Sequence, residues 1–80
     1  MNTYKCRGFG AVKAETIHAA AAEFARRQAR REFGPRGIAT DPVLQSWSQD
    51  GTRGEYASFI GRKTGQRETT GRNFRFTVTV

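Results

Sequence analysis

The last eight residues, NFRFTVTV, alternate without a break: Phe74, Phe76, Val78 and Val80 fall on one side, Arg75, Thr77 and Thr79 on the other. A period of two marks a strand with one buried face, so this segment is predicted as a strand whose apolar side needs a partner. The partner is written in a different period at residues 16–34, TIHAAAAEFARRQARREFG. At about 100° per residue, Ile17, Ala20, Ala21, Phe24, Ala25 and Gln28 share one side, and Glu23, Arg26, Arg27 and Arg30 share the other. Thr16 suits the N-cap, because its hydroxyl can accept a free first-turn amide. Gly34 suits a left-handed C-terminal position, and Pro35 cannot continue the ladder. A helix over Ile17 to Phe33 is therefore predicted, its small residues lying close against a sheet and Phe24 as its main inward anchor.

The remaining pattern is shorter. Residues 4–14, YKCRGFGAVKA, alternate as a strand would, with a bulge or bend expected where Gly8 and Gly10 flank Phe9. After the GPRG turn, Val43, Leu44 and Trp47 precede Asp50-Gly51, and Tyr56, Phe59 and Ile60 follow it. That predicts a hairpin, since Asp-Gly tolerates the positive φ of tight turns. Thr52, Arg53 and Gly54 are expected to lengthen its loop, and Pro42 fits only the edge or start of a strand. Residues 61–72, GRKTGQRETTGR, hold no apolar side chain and are expected to form a loop or hairpin tip. The order β-α-β-β-β predicts one α+β domain over residues 1–80, an antiparallel sheet with one amphipathic helix packed across one face. The other sheet face would meet water or a partner.

Eighty residues with 36% hydrophobic content support one small core, which dimerisation would widen; a monomer or homodimer is expected. Charge changes the picture more. The 14 Lys and Arg outnumber 7 Asp and Glu, giving +7, and 11 of the 14 are Arg. Such a chain attracts polyanions or acidic protein surfaces, and arginine favours forked contacts to phosphate or carboxylate. The single Cys6 excludes an intramolecular disulfide and, with His18 the one histidine, leaves no metal-ligand set. No apolar run is long enough to span a membrane, and MNTYKCRGFG lacks the apolar core of a signal peptide. A soluble cytoplasmic protein without membrane contact is expected.

Chemistry is sparse. His18 reads as a solvated or capping-turn residue, and Cys6 as a small core residue with no base to orient it. Glu15, Glu23, Glu32, Asp41, Asp50, Glu55 and Glu68 form no close pair on a shared face. The GFG at residues 8–10 is too short for a phosphate-binding fingerprint. Neither catalysis nor a cofactor nor a metal is expected.

Two basic clusters remain as candidate partner-binding residues. The helix carries Arg26, Arg27, Arg30 and Arg31 against Glu23 and Glu32, a net of about +2; the C-terminal segment carries Arg62, Lys63, Arg67, Arg72 and Arg75 against Glu68, a net of about +4. With nucleic acid these cations would grip phosphates, and Tyr56, Phe9 or Trp47 would stack on bases if they sit on the open face. Phe59, Phe74 and Phe76 are assigned to the core. No RNP-like strand, zinc finger or helix-turn-helix pattern supports sequence-specific reading. With protein, the same arginines would mate with an acidic surface, where Arg, Tyr and Trp often dominate the energy.

The short β-α-β-β-β chain, the AxTxxAA start of the helix at Ala14 to Ala20 and the arginine-rich helix resemble the small accessory proteins of phages and mobile elements. Within that group the chain is similar to anti-CRISPR proteins, in particular inhibitors of type I systems and the type I-C group. That resemblance implies stoichiometric binding to a host Cas surveillance complex in the bacterial cytoplasm, blocking target DNA engagement or nuclease recruitment. At +7 the chain cannot imitate DNA, as acidic inhibitors do. It would have to engage an acidic patch on a subunit, or the nucleic acid that the complex carries. The alternative is a small RNA- or DNA-binding module of a mobile element without strong sequence preference.

Overall fold

The computed structural model describes residues 1–64 and 68–80, and the side chains of residues 1–62 and 70–80. The helix forms where capping, composition and period agree: α1 spans Ile17–Phe33. The Thr16 hydroxyl accepts a hydrogen bond from the Ala19 amide at 3.1 Å. Gly34 ends the helix at φ 79°, its own N–H donating to the Arg30 carbonyl, and Gly34–Arg36 add one turn of 3-10 helix.

Against α1 the described residues form six strands: β1 (Asn2–Cys6), β2 (Gly10–Ala14), β3 (Ile38–Ala39), β4 (Val43–Trp47), β5 (Arg53–Thr64) and β6 (Glu68–Thr79). All pair antiparallel, in the order β2-β1-β6-β5-β3, with β4 also paired to β5. Strands β3 and β4 therefore share one edge of the sheet, interrupted around Pro42. The molecule is α+β, with α1 packed across one face of a curled sheet, as the pattern predicts.

Four details differ from the sequence reading. Residues 4–14 are two strands and not one bent strand. Gly8 and Gly10 both adopt positive φ, 89° and 78°, and the Phe9 amide donates to the Cys6 carbonyl, so the glycines reverse the chain. The two-residue β3 is too short to print a period. Of the apolar-free segment 61–72, residues 61–64 and 68–72 are strand, since β5 and β6 stay paired from Arg53↔Thr79 to Thr64↔Glu68, and residues 65–67, where a hairpin tip was expected, lie outside the described residues. Gly61 faces Gly71 in that ladder, and a Cβ on either would run into backbone of the opposite strand, the carbonyl oxygens of Thr70 and Ile60 respectively. These glycines mark close strand approach, where the sequence suggested a turn. The β4–β5 connection is residues 48–52, with Gly51 at φ 72°, while Arg53 and Gly54 belong to β5.

The core lies between α1 and the sheet. Ala20, Ala21, Phe24 and Ala25 meet Tyr4, Cys6, Ala14, Tyr56, Phe76 and Val78. Phe24, Ile60 and Val78 are the large side chains wholly out of solvent. Ala29 takes the inward position that the pattern assigned to Gln28, and Val80 lies exposed beyond the end of β6. The Phe74 and Phe76 rings stack at 4.8 Å between centroids, and Phe9 joins Phe74 to Phe24. Strand alternation then fixes both faces of the sheet. Tyr56↔Phe76 and Ser58↔Phe74 look toward α1, while Glu55↔Thr77, Ala57↔Arg75 and Phe59↔Asn73 look away.

Candidate functional site

The face turned away from α1 collects cations that are scattered in the sequence. Opposite the core residues Tyr4 and Cys6, β1 presents Thr3 and Lys5, and β2 pairs Lys13 with Thr3. Thr79 of β6 is flanked by Lys5 on one side and Arg53 on the other. At about 4.8 Å per strand, the backbones of those two cations stand roughly 10 Å apart across the sheet. Further along β6, Arg75 lies opposite Ala57. Lys5, Lys13, Arg53 and Arg75 are all exposed, and none stands in an ion pair among the described residues. The carboxylate on the described part of this face is Glu55, which accepts a 2.9 Å hydrogen bond from the Ser46 hydroxyl. Thr3, Thr77 and Asn73 add exposed hydrogen-bonding groups. A shallow hollow of about 210 Å³ opens between Gln45, Glu55, Arg75 and Thr77.

The clusters predicted from the sequence are distributed differently. On α1, Glu23 gathers three arginines, with Arg26 at 2.9 Å, Arg27 at 3.3 Å and Arg30 at 3.5 Å. Partial burial opposes ionisation of Glu23, but the hydrogen bonds and charges of Arg26 and Arg27 outweigh it and hold the carboxyl below its ordinary range. Arg31 donates to the Gly8 carbonyl at 3.1 Å, and its guanidinium lies 4.3 Å from the centre of the Phe9 ring, tying the β1–β2 turn to the helix. Arg72 lies on the helix side of β6, opposite Ile60, where it pairs with Glu32 at 2.9 Å and lies 5.7 Å from the Phe74 ring centre. Arg62 is exposed on the same side, opposite Thr70. Lys63 and Arg67 lie outside the described side chains. Of the predicted residues, Arg75 is the one whose described side chain belongs to the open face.

Lys5, Lys13 and Arg53 were missed because they are isolated in the chain. Lys5 and Lys13 alternate with apolar neighbours, and that period of two is the signal that could have placed them on one face, whereas Arg53, between Thr52 and Gly54, carries no such signal. The aromatics change roles too. Tyr56 is 2% exposed and faces the core, so it cannot stack on a partner as expected, whereas Phe59, assigned to the core, is 37% exposed on the open face. Phe9 is partly buried under Arg31, and Trp47 lies over Gly54 on the helix side of the sheet edge.

Burial pushes the Cys6 thiol up to about 11, so it stays protonated at neutral pH. His18 Nε2 lies 3.0 Å from Asp41 Oδ1 at the surface, joining the helix start to the β3–β4 connection. Burial, with Tyr4 adding, raises the Tyr56 phenol. Among the described residues no three His, Cys, Asp or Glu come together to hold a metal ion. No described helix is long and apolar enough to cross a membrane. No protein-family model, curated protein or solved structure matches this chain, so its functional reading rests on the charge and geometry of this surface.

Proposed function

We propose that the protein is a non-catalytic binding protein that holds single-stranded nucleic acid, RNA or DNA, against the open face of its sheet. The observation that carries this reading is the sorting of charge. Three helix arginines share Glu23 and Arg72 is matched by Glu32, whereas Lys5, Lys13, Arg53 and Arg75 on the open face form no ion pair among the described residues. Unpaired Lys and Arg beside threonine hydroxyls suit a phosphate backbone, and Phe59 offers a ring on which a base can stack. Among the described residues the face carries no array of base-reading side chains, in keeping with weak sequence preference.

A second reading keeps stoichiometric binding and changes the partner. An anti-CRISPR inhibitor of a type I complex would set an acidic subunit, or the guide RNA the complex carries, against a basic surface. The observation favouring it is the array of Arg26, Arg27 and Arg30 held around Glu23, whose half-exposed guanidiniums are pre-ordered for carboxylates.

One comparison separates the two readings. Labelled single-stranded RNA and DNA are titrated with the native chain, with a Lys5→Glu/Arg53→Glu/Arg75→Glu variant, and with an Arg26→Gln/Arg27→Gln/Arg30→Gln variant. The nucleic-acid reading expects the first variant to lose at least tenfold in affinity and the second to change less than threefold. No binding by the native chain, together with co-purification with a Cas subunit that the helix variant abolishes, would transfer the function to the inhibitor.

A further inference from the structure

The sheet has three open borders, and they are not treated alike. Strand β2 closes one end of the sheet and bears Lys13. On β6, β1 covers only Val78 and Thr79, and the uncovered length carries Arg72 and Arg75. Charges of this kind keep open edges from pairing with other chains. The third border is shared by the two-residue β3 and by β4, and β4, the longer of the two, reads VLQSW and carries no charge. All five of its residues are exposed, including Val43 at 60%, Leu44 at 48% and Trp47 at 48%. Half of the amide and carbonyl groups of an edge strand point outward, so β4 offers both backbone pairing and apolar contact.

We propose that β4 is a homodimerisation edge, at which a second copy of this chain adds its own β4 antiparallel and makes one continuous sheet. Charge selects the occupant. A chain of +7 repels its copies over most of its surface, and the β4 edge is a neutral border where two can meet. An acidic partner, by contrast, would find nothing there to attract it. The strand is also self-complementary. The register shift between Leu44 and Ser46 places Leu44 opposite Tyr56 and Trp47 opposite Gly54, so both lie on the helix side although they are three residues apart. In an antiparallel pair, Leu44 of one copy then faces Trp47 of the other, twice by two-fold symmetry, and each covers apolar surface that the small core leaves outside. The two open faces would join side by side, extending the basic surface across both copies.

The test is sedimentation of the full chain without nucleic acid, from micromolar to millimolar concentration, so that its result does not depend on what the open face binds. The expected outcome is reversible conversion from the 8.9 kDa chain to a species of twice that mass. Added salt should strengthen it by screening the like charges. Val43→Lys should raise the dimer dissociation constant at least tenfold with circular dichroism unchanged. Gln45→Lys serves as an independent second variant should Val43→Lys not fold. Lys13→Gln, on the opposite border, should leave the dimer intact. A monomer at every concentration would overturn the proposal, as would a dimer that both folded β4 variants leave unchanged or one that the Lys13 variant dissolves.

Discussion

Asp50 shows how much a single turn residue organises. Its carboxylate accepts hydrogen bonds from the Ser48 and Thr52 hydroxyls at 2.6 and 2.7 Å and from the Thr52 amide at 3.1 Å. Those contacts lower its pKa to about 2. The folded value lies below the value of about 3.9 expected for an unfolded chain. The resulting stability is therefore present in full above that unfolded value and is lost as pH falls through the folded one. Thermal midpoints between about pH 5 and about pH 2 should fall further in the native chain than in Asp50→Asn, which has no such carboxylate to protonate. Parallel curves for the two proteins would mean that the turn does not depend on this charge. At the same scale, loss of the Thr16 hydroxyl in Thr16→Ala removes the helix cap. A cost of about 1 kcal/mol in chemical denaturation is expected. The sequence made these two residues legible because both act on backbone a few positions away. It could not show that Arg31 would lie on Phe9, or Arg72 on Glu32, since those pairs are 22 and 40 residues apart and exist only once the sheet is assembled.

Among the elements, the helix was readable to the residue because cap, period and stop signal coincide on one segment. The hairpin of β1 and β2 was not, because a glycine either side of one aromatic is written the same way whether the chain bends or reverses. The long β5–β6 ladder was hidden for another reason. Beyond Ile60 it leaves the core, so no apolar alternation is required, and its Gly61–Gly71 pairing resembles turn composition. Gly71→Ala should test that account. The added methyl meets the Ile60 carbonyl, and the variant should unfold at lower denaturant than the native chain while Gly8→Ala, in open space but at positive φ, reports only local strain. Equal denaturation midpoints for Gly71→Ala and the native chain would show that the strands do not approach so closely there. Phe24 anchors α1 to the sheet and is wholly buried. Phe24→Ala should cost about 3–5 kcal/mol as a core truncation, enough to unfold a marginal domain.

For the molecule as a whole, folding sorts charge in a way that local clusters do not reveal. The densest basic run in the sequence, on α1, is the most internally compensated in the structure. Three cations with no basic residue beside them in the chain, Lys5, Lys13 and Arg53, reach one surface with Arg75 through pairings β2-β1-β6-β5. The fold class and the basic character were legible, but the site was not, because membership of a face requires knowing strand order. The claim on which this account turns is that the open face grips phosphates by charge. The direct measurement is the affinity for a single-stranded oligonucleotide over a series of salt concentrations. Contacts from four cations predict a log–log slope of about −3, reduced by roughly 1 for each open-face cation replaced by glutamine. A slope near zero, or one unchanged when Lys5, Arg53 and Arg75 are replaced together, would contradict it.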